Sequence, residues 1–150
     1  MQFTHFTDYS LRTLIYLGAR QDRLATISEI AESYGISQSH LTKVVHQLAN
    51  RGYIQTTRGK GGGIRLAHSP QLINIGAVVR DMEENINLVE CFNPNNQSCP
   101  LLPGCTLKSV LATARKNFFD TLNRYTLADL LTNQASLNKM FDLKEPAQKN

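Results

Sequence analysis

Two short amphipathic segments separated by a three-residue turn constrain this 150-residue chain more than any other feature. Thr26-Ile27-Ser28-Glu29 has the spacing of a capping box, in which Thr26 accepts from the amide three residues on and Glu29 reaches back; Ile30, Ala31 and Tyr34 then continue a helix. Gly35 stops it. After Gly35-Ile36-Ser37, Ser37 can cap a further helix with Leu41, Val44, Val45 and Leu48 at i, i+3, i+4 and i+7, ending near Asn50-Arg51-Gly52. Two short helices joined by a turn of about three residues containing glycine is the helix-turn-helix arrangement, a pattern that other small helical bundles also contain.

The flanking segments narrow the choice. Upstream, residues 8–19 place Leu11, Leu14, Ile15 and Gly18 on one helical stripe, with Thr7 or Asp8 available as the N-cap. Downstream, Tyr53-Ile54-Gln55-Thr56-Thr57 and Ile64-Arg65-Leu66 alternate as strands do, and Arg58-Gly59-Lys60-Gly61-Gly62-Gly63 joins them into a hairpin with a basic tip, a wing. The tip is not a phosphate loop: it lacks GxxxxGK[ST], and a dinucleotide fingerprint needs its third glycine where Ile64 stands. An ordinary surface hairpin is the bland alternative, against which Arg58, Lys60 and Arg65 cluster with no neutralising acid. Glycines let a backbone lie close to a groove or a phosphate wall while the bases supply charge.

Charge points the same way. The net +4 lies wholly in the first half: residues 1–68 hold eight bases and four acids, residues 69–150 eight of each. Between Glu32 and Asp81 there is no acid, while Lys43, Arg51, Arg58, Lys60, Arg65 and Arg80 fall there, a one-sided field suited to a polyanion such as double-stranded DNA. With 41% hydrophobic and 19% charged residues the chain can bury a core, and no apolar run approaches the ~18–20 residues of a membrane span. The start MQFTHFTDYS has no basic region followed by an apolar one, so a cytoplasmic protein with no membrane partner is expected. No nucleophile elbow, HExxH or cofactor fingerprint appears, so an enzyme is not expected, and an electron carrier has no need of a basic wing.

After Ser69-Pro70, Asn74 can cap a short helix with Ala77, Val78 and Met82 on its buried side. Residues 84–105 are rich in Asn and Pro, show no sustained period and hold all three cysteines as Cys91-x7-Cys99-x5-Cys105. A loop that long in a compact domain is usually functional or disordered. Beyond it Leu107, Val110, Leu111, Ala114, Phe118, Leu122 and Tyr125 share a stripe over about five turns. A helix so amphipathic needs a partner, either a second copy of itself or its own N-terminal domain; a dimer also suits DNA, since two-fold proteins read an operator with two half-sites. A last short helix starts at Thr126, and residues 133–150 lose periodicity as a flexible tail.

An odd number of cysteines cannot all pair within one chain, and a reducing compartment disfavours structural disulfides. Four readings stay open. Zinc normally takes four ligands, often from a CxxC knuckle that is absent here. A thiol switch through one transient disulfide leaves one cysteine over. Three unrelated free thiols are the plain alternative. An iron-sulfur cluster with three cysteines and one other ligand accounts for the odd number, the loop and the missing knuckle together.

In combination, FTDYSLRTLIYL, ISEIAESYGISQSHLTKVVHQLANRGYI, TRGKGGGIRLA, INIGAVVRDME, three cysteines before a long helix, and YTLADLL resemble the IscR/NsrR family of winged-helix iron-sulfur transcription regulators, and within it the nitric-oxide-sensitive repressors. The match spans roughly residues 1–132; it is specific as a set, though no single motif is. The resemblance implies a homodimer that represses nitrosative-stress genes while each subunit holds one iron-sulfur cluster, and that leaves DNA when nitric oxide attacks it. It implies Cys91, Cys99 and Cys105 as ligands; the spacing to the second cysteine, longer than in some relatives, leaves [2Fe-2S] and [4Fe-4S] both open. One branch completes the cluster with an N-terminal aspartate of the partner subunit, here Asp8. IscR-like proteins use a histidine after the third cysteine, and none follows Cys105. Asp8 also has a structural reading, as a first-turn carboxylate favoured by the helix dipole at ~0.3–1 kcal/mol. The alternative function is a thiol-based or iron-responsive redox regulator without nitric oxide as the signal.

The expected fold is mainly α with a small β-hairpin wing: a winged helix-turn-helix domain over 1–75, a linker helix and cysteine loop over 76–106, and a dimerisation helix with a short C-terminal helix over 107–132. Ser37, Gln38, Ser39, His40 and Lys43 are expected to meet DNA from the recognition helix, and Arg58, Lys60 and Arg65 from the wing. His40 and His46, six residues apart, fall on different helix faces and are not expected to share a metal.

Overall fold

The computed structural model describes residues 1–141. Seven α-helices and one two-stranded antiparallel sheet form these residues: α1 (His5–Ala19), α2 (Ile27–Tyr34), α3 (Gln38–Asn50), β1 (Ile54–Thr57), β2 (Gly63–Leu66), α4 (Ile75–Met82), α5 (Thr106–Leu122), α6 (Leu127–Leu130) and α7 (Gln134–Met140). The fold is the expected one, mainly α with a hairpin wing.

The helix-turn-helix forms as its caps predict. Thr26 and Glu29 make the reciprocal capping box of α2, Gly35 adopts φ 63° to end it, and the Ser37 hydroxyl accepts from the His40 amide at 3.3 Å to open α3. Leu41, Val44, Val45 and Leu48 are buried, against Leu14 and Leu17 of α1 and Ile30 of α2 in one core. Truncating a fully buried Leu to Ala costs about 2–5 kcal/mol, so this stripe firmly fixes which face of α3 remains outside.

β1 and β2 pair from Ile54↔Leu66 to Thr57↔Gly63. A third segment joins them: Ala25, just before α2, exchanges both backbone hydrogen bonds with Ile64 at 2.9 and 2.7 Å. The wing is thereby tied to the start of the helix-turn-helix as well as to its end.

Three elements differ from the sequence expectation, and the α5 stripe, read as needing a partner, is left mostly bare by its own chain. Helix α1 begins at His5 with Thr4 as N-cap, one turn earlier than a cap at Thr7 or Asp8, because Glu83 from the end of α4 accepts from the Thr4 amide at 3.2 Å and fixes the chain there. The cysteine loop is not featureless: single 3-10 turns form at Glu90–Phe92 and Leu102–Gly104. The apolar stripe of α5 is largely uncovered, with Leu107 63%, Val110 58% and Tyr125 48% exposed, and the one buried α5 residue, Phe119, lies off that stripe. Part of the expected tail is α7, where Gln134 donates to the Ala19 carbonyl and the Phe141 ring just beyond meets Tyr16 and Tyr34 at 5.1 and 5.3 Å. Residues 142–150 lie outside the described residues.

Candidate DNA interface and cysteine loop

Helix α3 turns Gln38, Ser39, His40, Thr42, Lys43 and His46 outward, all exposed. Thr42 donates back to the Gln38 carbonyl and Ser37 is occupied as a cap. The Gln38 amide and the Lys43 ammonium have no partner among the described residues and are free to meet a ligand. In the wing, Arg58 and Lys60 stand exposed on the turn. Arg65 is steered by its cross-strand neighbour: its Nε and Nη2 both donate to Gln55 Oε1, at 3.3 and 3.2 Å. The recognition helix and the wing are joined by Tyr53. Its amide donates to the Leu48 carbonyl of α3, its carbonyl accepts from Ala67 beyond β2, and its hydroxyl donates to Asp81 Oδ2 at 2.6 Å. Burial, reinforced by that bond and by the Asp81 charge, pushes the Tyr53 phenol far above its ordinary value, so it remains a donor at any working pH.

Of the expected ligands, Cys91 sits half-buried in the Glu90–Phe92 turn, Cys99 is exposed, and Cys105 is the N-cap of α5, its Sγ accepting from the Lys108 amide at 3.4 Å. All three are free thiols. Arg115 of α5 holds the start of the loop, donating to Asn87 Oδ1 at 3.0 Å and lying 4.5 Å from the Phe92 ring centre. Among the described residues, no three His, Cys, Asp or Glu side chains stand together as a metal site. Asp8 lies on the first turn of α1 as the dipole reading expects, ion-paired at 2.9 Å to Arg12, whose guanidinium is 6.0 and 5.8 Å from the Tyr9 and Tyr34 rings. The structure therefore presents the DNA-facing candidates on one connected unit, and leaves the cysteines and Asp8 on separate elements.

Sequence reasoning missed three residues of this framework: Tyr53, Asp81 and Glu83. Glu83 Oε2 accepts from Thr7 Oγ1 at 2.6 Å and Thr4 Oγ1 at 3.2 Å in addition to the Thr4 amide. One sequence signal was present, since Asp81 and Glu83 stand at the C-terminal end of α4, where the helix dipole disfavours carboxylates and a compensating partner is required.

A family model described as Rrf2, iron-dependent transcriptional regulator, matches residues 3–133. The chain belongs to the Rrf2 family. Two relatives named HTH-type transcriptional regulator NsrR, from Bacillus licheniformis and Bacillus subtilis, are each 48% identical to it, over 93% and 97% of this chain and 99% and 100% of their own length. A third relative of that name, from Geobacillus kaustophilus, is 49% identical over 97% of this chain and 98% of its own. Among solved structures, T. potens IscR superposes with a TM-score of 0.72 at 23% identity, covering 89% of this chain and 88% of that one, a likeness of fold. The oxidized form of Staphylococcus aureus CymR gives 0.70 at 25% identity, over 88% and 97%. This Rrf2 member is a DNA-binding transcriptional regulator and not an enzyme. Among the described residues, no helix is long and apolar enough to cross a membrane.

Proposed function

We propose that this Rrf2 regulator is a cytoplasmic, homodimeric repressor of nitrosative-stress genes that senses nitric oxide through one iron-sulfur cluster per subunit. The observation that carries the reading is a loop with three unpaired thiols, placed directly before a helix whose apolar stripe is largely exposed, in a chain 48% identical to proteins named NsrR. The donors suit the group in kind: thiols are the usual ligands of such clusters, and Cys105 stands as the N-cap of α5, its Sγ already accepting from a backbone amide. Cys91, Cys99 and Cys105 would hold the cluster, [2Fe-2S] or [4Fe-4S], with Asp8 of the partner subunit as fourth ligand. When bound, the cluster supplies iron that reacts with nitric oxide.

The protein's own residues do the rest. Residues 1–75 carry DNA recognition, 76–106 carry the sensing loop, and 107–132 hold the dimer by pairing the exposed α5 stripe with its copy. Gln38, with Ser37, Ser39 and His40 beside it, reads base edges in the major groove, and Lys43 meets phosphate. Arg58, Lys60 and Arg65 follow the backbone or the adjacent minor groove.

The test is anaerobic purification with iron and sulfide counted, followed by operator binding before and after nitric oxide. The reading expects a brown protein with a visible absorption band and loss of operator binding on treatment. Intact affinity after treatment of loaded protein refutes nitric oxide as the signal. The exposure of Cys99 and the separation of the three thiols favour a second reading, a thiol-based or iron-responsive regulator, for which the protein is colourless or responds to peroxide or to iron supply instead.

A further inference from the structure

The last turn of α4 carries two carboxylates that reach in different directions. Residues two apart on a helix project far from one another, and Asp81 and Glu83 use that divergence. Glu83 takes the start of α1 through Thr4 and Thr7. Asp81 takes Tyr53, whose backbone already bonds to α3 on one side and to the strand end at Ala67 on the other. The chain then runs straight from Glu83 into the cysteine loop. A movement of that loop reaches this turn through the chain, and the turn meets the DNA-reading unit through buried Met82, through Glu83 at the start of α1, and through the Tyr53 hydroxyl at the join of α3 and the wing.

We infer that Tyr53 and Asp81 form a positioning pair that sets the recognition helix and wing according to the state of the cysteine loop. The pair touches neither the thiols nor the surface offered to DNA. It joins the two because the Tyr53 backbone bonds to both the end of α3 and the strand end at Ala67, so a shift of this residue is passed to both elements. The phenol has no alternative charge state near neutral pH, and the half-buried carboxylate opposite it loses this hydrogen-bonded partner if the two separate. Such a bond favours one arrangement over another, as a coupling element requires.

The inference rests on the sensing role proposed above, and the experiment separates the two. Tyr53→Phe removes the hydroxyl and keeps the ring; Asp81→Asn is the second variant. Each full-length protein is loaded anaerobically, its iron and sulfide are counted, and it is titrated before and after nitric oxide against a duplex selected by the parent from a random pool. The expected result is parental loading with a ratio of loaded to treated affinities reduced by about fivefold or more, and a double variant no worse than the stronger single. In cluster-free protein, the amides of Tyr53 and Ala67 exchange faster in Tyr53→Phe while those of α1 are unchanged. A ratio within about twofold of the parent's, or unchanged exchange at both amides, overturns the pair as a coupling element and leaves it a structural bond. If the parent itself binds equally before and after treatment, the sensing role has failed and the inference falls with it.

Discussion

Gly76 on the first turn of α4 is where the cysteine-loop side of the molecule meets the long helix, and replacing it by alanine tests how tightly that joint is built. A Cβ there lies 2.1 Å from Asn123 Oδ1, 3.0 Å from its Cγ and 3.1 Å from its backbone nitrogen. The amide oxygen can swing aside, but it then leaves Arg80, which donates to it at 2.8 Å. The backbone nitrogen cannot follow, because Asn74 Nδ2 holds the Asn123 carbonyl at 2.7 Å and pins the end of α5. Overpacking of this kind costs about 1–3 kcal/mol and the lost hydrogen bond about 0.5–1.5, while exchanging glycine for alanine inside a helix returns about 0.5–1. The net expectation is a loss of about 0.5–4 kcal/mol, centred on about 2, which at about 2–4 °C per kcal/mol for a chain of this size lowers Tm by roughly 4–8 °C at the centre of that range. Thermal unfolding at fixed protein concentration measures it, and Gly76→Ala with Asn123→Ala regains part of the loss, since the side-chain contacts vanish and the backbone contact stays. A single variant as stable as the parent, or a double variant with no recovery, refutes the close approach as the reason for glycine.

Three further outcomes follow from the same geometry. Lys60→Ala weakens binding to specific and random DNA alike and lowers the salt slope by about one, whereas Gln38→Ala changes sequence preference; equal losses on both DNAs for both variants, in titrations at several salt concentrations, contradict that division. Burial opposes ionisation of Glu29, but Arg23, the Thr26 amide and the Tyr16 hydroxyl outweigh it and hold its carboxyl below the ordinary glutamate range, so its contribution to stability is full above that range and is lost as pH falls through the folded value. Denaturant midpoints across acid pH show this, and Glu29→Gln removes that part of the dependence. Val110→Asp, in the exposed stripe of α5, is expected to split the proposed dimer in light scattering; a dimer that survives it places the interface elsewhere.

What could be read from the sequence is what local chemistry decides. The caps at Thr26, Ser37 and Asn74, the period of Leu41 to Leu48 and the glycines of the wing each act within about one or two turns of chain, and each formed as read. What could not be read is set by partners distant in sequence. The start of α1 is fixed by Glu83, 79 residues from Thr4, and Tyr53 is fixed by Asp81, 28 residues on. Helix α7 is short and held through Gln134 and the Phe141 ring beyond it, so periodicity carries little of its signal. Spacing placed Cys91, Cys99 and Cys105 on one loop, but their spatial grouping depends on how that loop closes.

The charge pattern gains a sharper meaning from the same long-range pairs. The acid-free stretch between Glu32 and Asp81 gives α3 and the wing a one-signed field, and the acids that end it are the two at the last turn of α4. Asp81 is spent on Tyr53 and Glu83 on Thr4 and Thr7, both half-buried and turned into the protein. They neutralise none of Lys43, Arg58 or Lys60, because a carboxylate bonded inward and away from the wing adds little to the potential at its tip. The place where the sequence first admits acid again is thus where the proposed DNA-facing unit ends and the turn that holds its elements begins, and Asp81→Asn is expected to alter the response of the protein more than its salt-dependent affinity for random DNA.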